Sequence, residues 1–321
     1  MKKIISKLIT FFPLLFLFGC KTPPVQKTIL TITKSEQKLP SSQIKIYFPQ
    51  FPIYNDKKKK TEIVRGDGTI VILPNNQCMI IDCFDPEAAE DMVKFVKSLG
   101  ITKIDYLIAT HYHADHIGGM PGLINNFEIG KFYSNGVDFN SGICRNFLAL
   151  LNEKQIPVNV LKQGDSLILS EAPDECKIEV LWPNFTEEQI YNAYHNPGRT
   201  EKLKNNSSLV FKMIYNDFTV LFTGDVYKEG DKALTKQYGS KLKSTILKVP
   251  HHGEFYTSNS PVFVKTVAAD IGVILDPSYM WNYVITVIYR NAKTKLLYRN
   301  TPGFILIESD GYDYKVYEES F

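Results

Sequence analysis

The sequence of 321 residues has few histidines and cysteines, and beyond its start it lacks long apolar runs. It contains six histidines and five cysteines. No two cysteines are spaced as Cys-x-x-Cys, which argues against a zinc site built from thiolates. After residue 20, no stretch approaches the ~20 consecutive apolar residues that a membrane-spanning helix needs. These absences argue against a thiolate-bound zinc and against a membrane span in the main part of the chain.

An excess of charge of one sign is also missing from most of the chain. The formal net charge is +3, but Lys2, Lys3 and Lys7 are the only charged residues among the first twenty. Without them, 34 basic residues face 34 acidic ones. A protein that binds a nucleic-acid polymer normally neutralises several phosphates with a basic stripe. The charge balance therefore gives no argument for a nucleic-acid partner.

The first twenty residues, MKKIISKLITFFPLLFLFGC, predict export. Lysines followed by a short apolar run are typical of a secretory signal. The ending LFGC resembles a bacterial lipoprotein signal, which implies a lipidated Cys20 that anchors the protein to a bacterial membrane, outside the cytoplasm. A signal anchor that is never cleaved is the alternative. We expect a signal peptide over residues 1–20, a tether over 21–42 and one domain over 43–321, with no protein partner predicted.

The other cysteines follow no disulfide framework. Four remain after the signal, at Cys78, Cys83, Cys144 and Cys176. Export permits disulfides, so buried free thiols and a single bridge both stay open. With 44% hydrophobic residues, the chain can bury a sizeable core.

Strand and helix patterns alternate along the first third of the domain. Residues 43–48 alternate between polar and apolar, and the stretch TIVILPNNQCMIIDC reads as two strands around a turn. A helix is predicted from about Pro86 to Leu99, and the apolar run KIDYLIAT predicts a buried strand. This order indicates a layered α/β domain.

Half of the histidines lie in the segment ATHYHADHIGGM, at positions 109–120, directly after the strand KIDYLIAT. Open α/β sheets gather ligands at the carboxyl ends of their strands. Imidazole and carboxylate groups suit Zn²⁺, and also Mn²⁺ or Fe. The cluster therefore predicts a metal site, with the candidate ligands His111, His113, Asp115 and His116.

HxHxDH after an apolar strand resembles the signature of the metallo-β-lactamase fold, a four-layer αββα sandwich of the α/β class. The resemblance extends over about residues 44–321. IDC would place Asp82 at a strand end, TVLFTGD would deliver Asp225 as a carboxylate that bridges two metals, and LKVPHHG would deliver the last histidine. Together with NNSSLVFKM, these segments look most like the subgroup of the ComEC hydrolase domain and the bacterial phosphorylcholine esterases.

Two details of the ligand set stay open. His251 and His252 both follow an apolar strand, and neighbouring side chains diverge; we favour His251 as the metal ligand and assign His252 to the substrate or leaving group. Many members of the family add a histidine where this chain has residues 205–208, Asn-Asn-Ser-Ser. His195, Asn206 or a water could complete the first metal's shell instead.

The resemblance implies two divalent metal ions, with Zn²⁺ expected and Mn²⁺ as the alternative, and hydrolysis by a metal-activated water. Asp115 or Asp225 would orient that water. A phosphodiester suits such a site best, either in a nucleic acid or in a small surface molecule. A β-lactamase or thioesterase type of hydrolase and a non-catalytic metal-binding surface lipoprotein are the alternatives.

Two further groups of side chains are candidates for substrate contacts. Cations just before Asn205 could supplement a phosphate-binding site, although a solvated loop is the default reading. Aromatic residues after Asp276 could form a pocket wall, although packed aromatics would have the same composition. These candidates are Arg199, Lys202, Lys204, Tyr279, Trp281 and Tyr283.

Overall fold

A computed structural model describes residues 28–30, 42–138, 141–171, 174–186, 188–189, 200–280 and 283–321. The predicted signal peptide with Cys20 lies outside the described residues, and so do His195, Arg199 and Trp281. None of the helices within the described ranges combines the length and apolar character needed to cross a membrane.

The strands and helices are numbered in chain order. The strands are β1 (Thr28–Leu30), β2 (Ile44–Gln50), β3 (Pro52–Asn55), β4 (Lys60–Ile63), β5 (Thr69–Ile72), β6 (Cys78–Ile81), β7 (Lys103–Ala109), β8 (Glu128–Ser134), β9 (Val158–Val160), β10 (Ser166–Ser170), β11 (Cys176–Trp182), β12 (Val210–Tyr215), β13 (Phe218–Phe222), β14 (Ile246–Lys248), β15 (Ile271–Val273), β16 (Lys295–Leu297), β17 (Gly303–Ser309) and β18 (Tyr314–Ser320). The helices are α1 (Ala89–Ser98), α2 (Ala114–Ile117), α3 (Met120–Asn126), α4 (Gly142–Glu153), α5 (Thr200–Asn206), α6 (Lys228–Tyr238), α7 (Pro261–Val267) and α8 (Tyr283–Asn291).

Most of these strands form two large sheets. The first has the order β1-β18-β17-β2-β5-β6-β7-β8-β9, and the second has the order β10-β11-β12-β13-β14-β15-β16. β3 and β4 form a separate hairpin. β1 pairs with β18, so the first sheet already includes three residues of the segment that we assigned to the tether.

The main core lies between the two sheets. Ile81 and Ile108 of the first sheet belong to the same buried cluster as Phe211 and Val220 of the second. This core explains why β6 and β13 are buried almost throughout, since each sheet is covered on both faces.

Helices cover the two outer faces. Leu107 of β7 faces the side opposite to Ile108 and packs with residues of α1, α3 and α4. Leu221 and Leu247 of the second sheet pack with residues of α6, α7 and α8. The resulting order of helix, sheet, sheet and helix confirms the predicted four-layer α/β sandwich.

The parallel parts of the two sheets position the predicted site. β6, β7, β8 and β9 run parallel in the first sheet, and β13, β14, β15 and β16 run parallel in the second. The carboxyl ends of parallel strands meet at one edge of a sheet, and ligands bind at such edges. The segments with the candidate ligands follow β7, β13 and β14 and therefore converge there.

The four cysteines of the domain, Cys78, Cys83, Cys144 and Cys176, are buried. No disulfide joins them within the described residues. Of the two possibilities that the sequence left open, the structure supports buried free thiols. The protein interior favours the neutral form of a thiol, and burial raises the pKa of Cys78 to about 12.

Candidate metal centre

The first group of candidate ligands consists of His111, His113 and Asp225. Nε2 of His111 lies 2.9 Å from Nδ1 of His113 and 3.9 Å from Oδ2 of Asp225. The His111 side chain is fully buried, and His113 is partly exposed. One nitrogen or oxygen of each residue lies within 4.8 Å of the others, a separation that one ion could bridge.

The second group consists of Asp115, His116, Asp225 and His252. Nε2 of His116 lies 3.1 Å from Oδ2 of Asp225. Nε2 of His252 lies 3.5 Å from the carboxylates of both Asp115 and Asp225. Asp225 thus belongs to both groups, which is the position that a carboxylate bridging two metals would need.

Several buried atoms of the second group make no hydrogen bond within the described residues. They are Nε2 of His116, Nε2 of His252 and Oδ1 of Asp225. Buried polar atoms normally have partners, because an unsatisfied one costs about 1–3 kcal/mol. Unpartnered imidazole nitrogens and carboxylate oxygens that face one another fit a divalent metal ion, so the residues present suit the group that the motif implies.

The electrostatics of the cluster indicate an excess of negative charge. Burial opposes a charge on His116, but Asp225 and Asp82 raise its pKa well above the ordinary value. Burial likewise opposes a charge on His252, but Asp225 and Asp67 raise its pKa. The carboxylates therefore draw positive charge to the two Nε2 atoms, where a divalent cation would replace the protons.

Polar groups lie beside the far ring nitrogens of His116 and His113. Nδ1 of His116 lies 2.8 Å from Oδ2 of Asp82. The backbone N–H and the hydroxyl of Thr110 both donate to the same Asp82 carboxylate, at 2.8 and 2.7 Å. Nε2 of His113 lies 3.2 Å from Oε2 of the exposed Glu201 but makes no hydrogen bond within the described residues. The hydrogen bond to Asp82 is a contact of the kind that fixes the tautomer of a metal-binding histidine.

Of these orienting groups, the sequence indicated only Asp82, as a strand-end aspartate. Glu201 of α5 and Asp67 were missed. Asp67 lies between two glycines just before β5, and this Gly-Asp-Gly spacing is the one signal that could have identified it. Glu201 carries no such signal, since it is one of several charged residues in a polar segment.

The two adjacent histidines, of which the sequence favoured His251 as the ligand, lie in different surroundings. His252 belongs to the four-residue group, whereas His251 does not. The His251 ring lies between those of Tyr227 and Tyr279, with centroids 5.1 and 5.9 Å away. Its Nε2 is 3.9 Å from Oδ2 of Asp225, at the border of the cluster.

The tautomer of His251 follows from its neighbours. Thr257 donates its hydroxyl hydrogen to Glu254, which accepts also from the backbone N–H of Thr257 at 2.6 Å. The Thr257 oxygen can then only accept, and it lies 3.0 Å from Nδ1 of His251. Nδ1 therefore carries the hydrogen, and Nε2 presents a lone pair to the cluster.

Asn206 is not placed to complete the first group. Its Oδ1 accepts from the backbone N–H groups of Tyr227 and Gly230, at 3.0 and 3.3 Å. Among the three possibilities that the sequence left open, the structure does not support Asn206, because Oδ1, the side-chain atom that could bind a metal, already accepts these two hydrogen bonds. Ser208 instead accepts from the backbone N–H of Asp225 and lies 3.3 Å from Nδ1 of His111.

The two described lysines among the candidate cations form ion pairs with glutamates. Lys202 forms an ion pair with Glu229, and Lys204 forms one with Glu201 at 2.6 Å. Arg65, which the sequence did not single out, lies nearer to the cluster. Its guanidinium is 4.0 Å from Oδ2 of Asp115, and the side chain is 65% exposed.

The aromatic candidates are separated. Tyr279 contacts the His251 ring and is partly buried. Tyr283 is 62% exposed and contacts Arg290 of α8. Of the described candidates, only Tyr279 therefore borders the metal cluster through a ring contact.

The chain matches a known protein family and is similar to several known proteins. Residues 65–263 match the model of the family described as the metallo-beta-lactamase superfamily. This segment contains all six candidate ligands and the strands that carry them. The chain is also similar to the ComE operon protein 3 of Bacillus subtilis, with 27% identity over 50% of this chain and 19% of that protein.

A second relative is the competence protein ComA of Neisseria gonorrhoeae, with 22% identity over 65% of this chain and 25% of that protein. The chain thus spans about a fifth to a quarter of the length of these relatives. Among solved structures, a putative metal-dependent hydrolase from Parabacteroides distasonis aligns with a TM-score of 0.46 and 15% identity, covering 79% of this chain and 99% of that one.

Proposed function

Because the chain belongs to the metallo-β-lactamase superfamily, we propose that it is a metal-dependent hydrolase whose substrate is a phosphodiester. The observation that carries this proposal is the position of Asp225, which is shared by two groups of buried ligand atoms. A purely structural metal site is normally closed and holds one ion. Two adjoining groups that share a carboxylate are instead suited to catalysis.

We assign the first metal to His111, His113 and Asp225, and the second to Asp115, His116, Asp225 and His252. Zn²⁺ is the expected ion and Mn²⁺ the alternative, since both accept imidazole and carboxylate ligands. When bound, such a pair of ions lowers the pKa of a water and neutralises negative charge in the transition state.

His251 supplies proton transfer in this proposal. Its Nε2 presents a lone pair at the border of the cluster, 3.9 Å from Asp225. It can accept a proton from the attacking water and return it to the oxygen of the leaving group. The hydrogen on Nδ1 stays directed at Thr257, which keeps the ring in place throughout. His251 and His252 thus exchange the roles that the sequence suggested.

Arg65 supports an anionic substrate. Its guanidinium lies beside Asp115 and is largely exposed, so it can reach a phosphoryl oxygen that the metals do not hold. Its ion-pair distances to Asp115 and Asp276 are 4.0 and 3.9 Å, which leaves its N–H groups available for a closer acceptor.

The test is hydrolysis of bis(p-nitrophenyl) phosphate by the purified protein, loaded separately with Zn²⁺ and with Mn²⁺. We expect metal-dependent turnover that falls at least 100-fold in Asp115→Ala, because this change removes a ligand of the second metal. If the protein binds two metal equivalents but gives no turnover with either ion, the phosphodiesterase proposal is wrong. Lactam, thioester and carboxylic-ester substrates would then be tested.

A second arm of the same assay tests recognition of the anion. We expect Arg65→Ala to raise KM for the phosphodiester about tenfold, equivalent to the loss of one charged hydrogen bond, with a smaller change in kcat. Hydrolysis of the uncharged ester p-nitrophenyl acetate should not change. Arg290→Ala is the matched control, since Arg290 is exposed on α8 and contacts Tyr283. Equal effects on both substrates would contradict the role of Arg65.

A further inference from the structure

We propose that Asp67, balanced by Lys248, is the residue that positions His252 as a ligand of the second metal. The inference rests on the metal assignment of the proposed function. Oδ1 of Asp67 lies 3.2 Å from Nδ1 of His252, and both side chains are 3% exposed. Neither atom has a hydrogen-bond partner within the described residues, and a carboxylate this close favours the tautomer with the hydrogen on Nδ1. The lone pair of His252 then lies on Nε2, the atom that faces Asp115 and Asp225.

Lys248 balances the charge of Asp67. Its Nζ contacts Oδ2 of Asp67 and donates to the carbonyl of Val249 at 3.0 Å. The Lys248 side chain is 4% exposed, so the contact is a buried ion pair. Burying two charges is costly, and a hydrophobic pair of similar volume is often no less stable. A contribution to stability is therefore a weak explanation for this pair, and a role in orienting His252 is a better one.

A lysine is needed at this place because another carboxylate is close. Oxygens of Asp67 and Asp82 lie within 4.8 Å of each other and of a nitrogen of His116. Two neighbouring carboxylates in a buried site repel each other. The ammonium group of Lys248 contacts Oδ2 of Asp67 and offsets this repulsion.

The segment of Asp67 also holds a second ligand of the same metal. The backbone N–H of Asp67 donates to the carbonyl of Asp115 at 3.0 Å. Asp67 thus contacts both Asp115 and His252, which belong to the second group and not to the first. Because the side chain of Asp67 contacts His252, which belongs to the second group only, its loss should affect the second metal selectively.

The contact between Asp67 and His252 also explains why His252, rather than its neighbour His251, is the metal ligand in this assignment. His251 and His252 both have left-handed backbones, with φ of 48° and 54°, so their own conformations do not distinguish them. The partners of their Nδ1 atoms differ: Thr257 lies beside His251, and Asp67 lies beside His252. A carboxylate makes the far nitrogen of the ring more basic than a hydroxyl does, which favours metal binding by His252.

The experiment measures zinc binding to the full protein by competition with a chromophoric chelator. The Co²⁺-substituted protein, whose visible absorption reports the ligand geometry, is measured in parallel. We expect the wild type to bind two equivalents. We expect Asp67→Ala to retain the first equivalent and to bind the second 10- to 100-fold more weakly, with a changed Co²⁺ spectrum of the second site only.

Two further variants separate positioning from simple packing. Asp67→Asn keeps an oxygen that can accept from Nδ1, and Asp67→Asn combined with Lys248→Met removes both charges. The double variant should recover most of the affinity that Asp67→Ala loses. Asp231→Ala is the control, because Asp231 is a fully buried carboxylate outside the cluster. If Asp67→Ala does not fold, Asp67→Asn and the double variant carry the test.

The outcomes separate this inference from the proposed function. If the Asp67 variants bind both metals as tightly as the wild type, or lose both equally, the positioning role is wrong even if the enzyme hydrolyses phosphodiesters. If Asp67→Ala weakens only the second metal and the wild type gives no turnover, the positioning role stands and the proposed reaction fails. A wild type that binds fewer than two equivalents overturns the inference together with the metal assignment.

Discussion

At the residue scale, several residues in and beside the metal centre have a positive φ, a backbone conformation that residues other than glycine rarely adopt. Asp82, His251, His252 and Asp276 all have φ between 48° and 57°. Each such residue costs on the order of 1–3 kcal/mol and persists only where its surroundings hold it. For Asp82, those surroundings are the two hydrogen bonds from Thr110. Other described residues, such as Gln155 and Ala268, also have a positive φ, so this conformation is not confined to the centre.

Gly66 is required for a different reason, the close approach of two chain segments. Its φ is +107°, and a Cβ at this position would lie 1.9 Å from the carbonyl oxygen of Asp115. No flexible side chain can move aside there, since the obstacle is backbone. A larger residue would separate the segment of Asp67 from Asp115 and so disturb the second metal.

Comparing Gly66→Ala with Gly100→Ala tests this requirement. Gly100 also has a positive φ, of +76°, but no atom lies within 4 Å of its would-be Cβ. Gly100→Ala should cost about 1 kcal/mol of unfolding free energy through the strain alone. Gly66→Ala should cost about 1–3 kcal/mol more, because overpacking adds to the strain. Urea unfolding of the metal-free variants measures both, and equal losses would show that the approach to Asp115 is not tight.

At the element scale, much of the site could be predicted because it follows from strand ends. The run KIDYLIAT predicted β7, and the ligand cluster begins directly after it, as the structure confirms. TVLFTGD predicted the strand before Asp225 in the same way. Apolar periodicity identifies buried strands, and parallel strands bring their carboxyl ends to one edge, so local patterns were sufficient for this part.

The rest depended on contacts between distant parts of the chain. The sequence could not distinguish His251 from His252, since both follow β14; the distinction comes from Asp67, which precedes β5 in the other sheet. The sequence also could not show whether Asn206 is free to bind a metal. Its side-chain oxygen accepts hydrogen bonds from the backbone N–H groups of Tyr227 and Gly230. No periodicity reports such tertiary hydrogen bonds.

The junction of α6 and α7 leads to a prediction on pH dependence. Asp231 of α6 is fully buried and accepts hydrogen bonds from the backbone N–H and the hydroxyl of Ser260, the residue that caps α7. Burial raises the pKa of Asp231 to about 6, although the bonds from Ser260 oppose this shift. A raised pKa means that the folded state holds the proton more tightly than the unfolded state.

The stability from this carboxyl group is therefore fully present below pH 4 and is lost as the pH rises through about 6. Its size is on the order of 3 kcal/mol. Asp231→Asn has no such titration, so the wild type should lose stability relative to the variant between pH 4 and pH 7. Denaturant unfolding of the metal-free proteins across this range measures the difference. A constant difference between wild type and variant would contradict the raised pKa.

At the scale of the whole molecule, the small net charge conceals an uneven distribution. The formal charge is +3, but the buried centre between the sheet edges contains four carboxylates: Asp67, Asp82, Asp115 and Asp225. Among the described residues, Lys248 contacts Asp67, and the guanidinium of Arg65 lies 4.0 Å from Asp115. Protons on His116 and His252 offset part of the excess, as their raised pKa values indicate. Two divalent cations would offset it more completely.

The metals should therefore stabilise the whole fold, because the centre joins segments from both sheets. A ligand that binds only the folded state adds stability that grows with its concentration, by about 1.4 kcal/mol per tenfold increase for each saturated site. For two sites, the free energy of unfolding should rise by about twice that amount.

Denaturant unfolding in buffers with fixed free Zn²⁺ measures this slope, the change in unfolding free energy per tenfold change in free Zn²⁺. Asp115→Ala, which lacks one ligand of the second metal, should show about half the slope. If the stability of the wild type does not depend on Zn²⁺, the centre does not hold zinc in the folded protein, and the same titration with Mn²⁺ decides between the two ions.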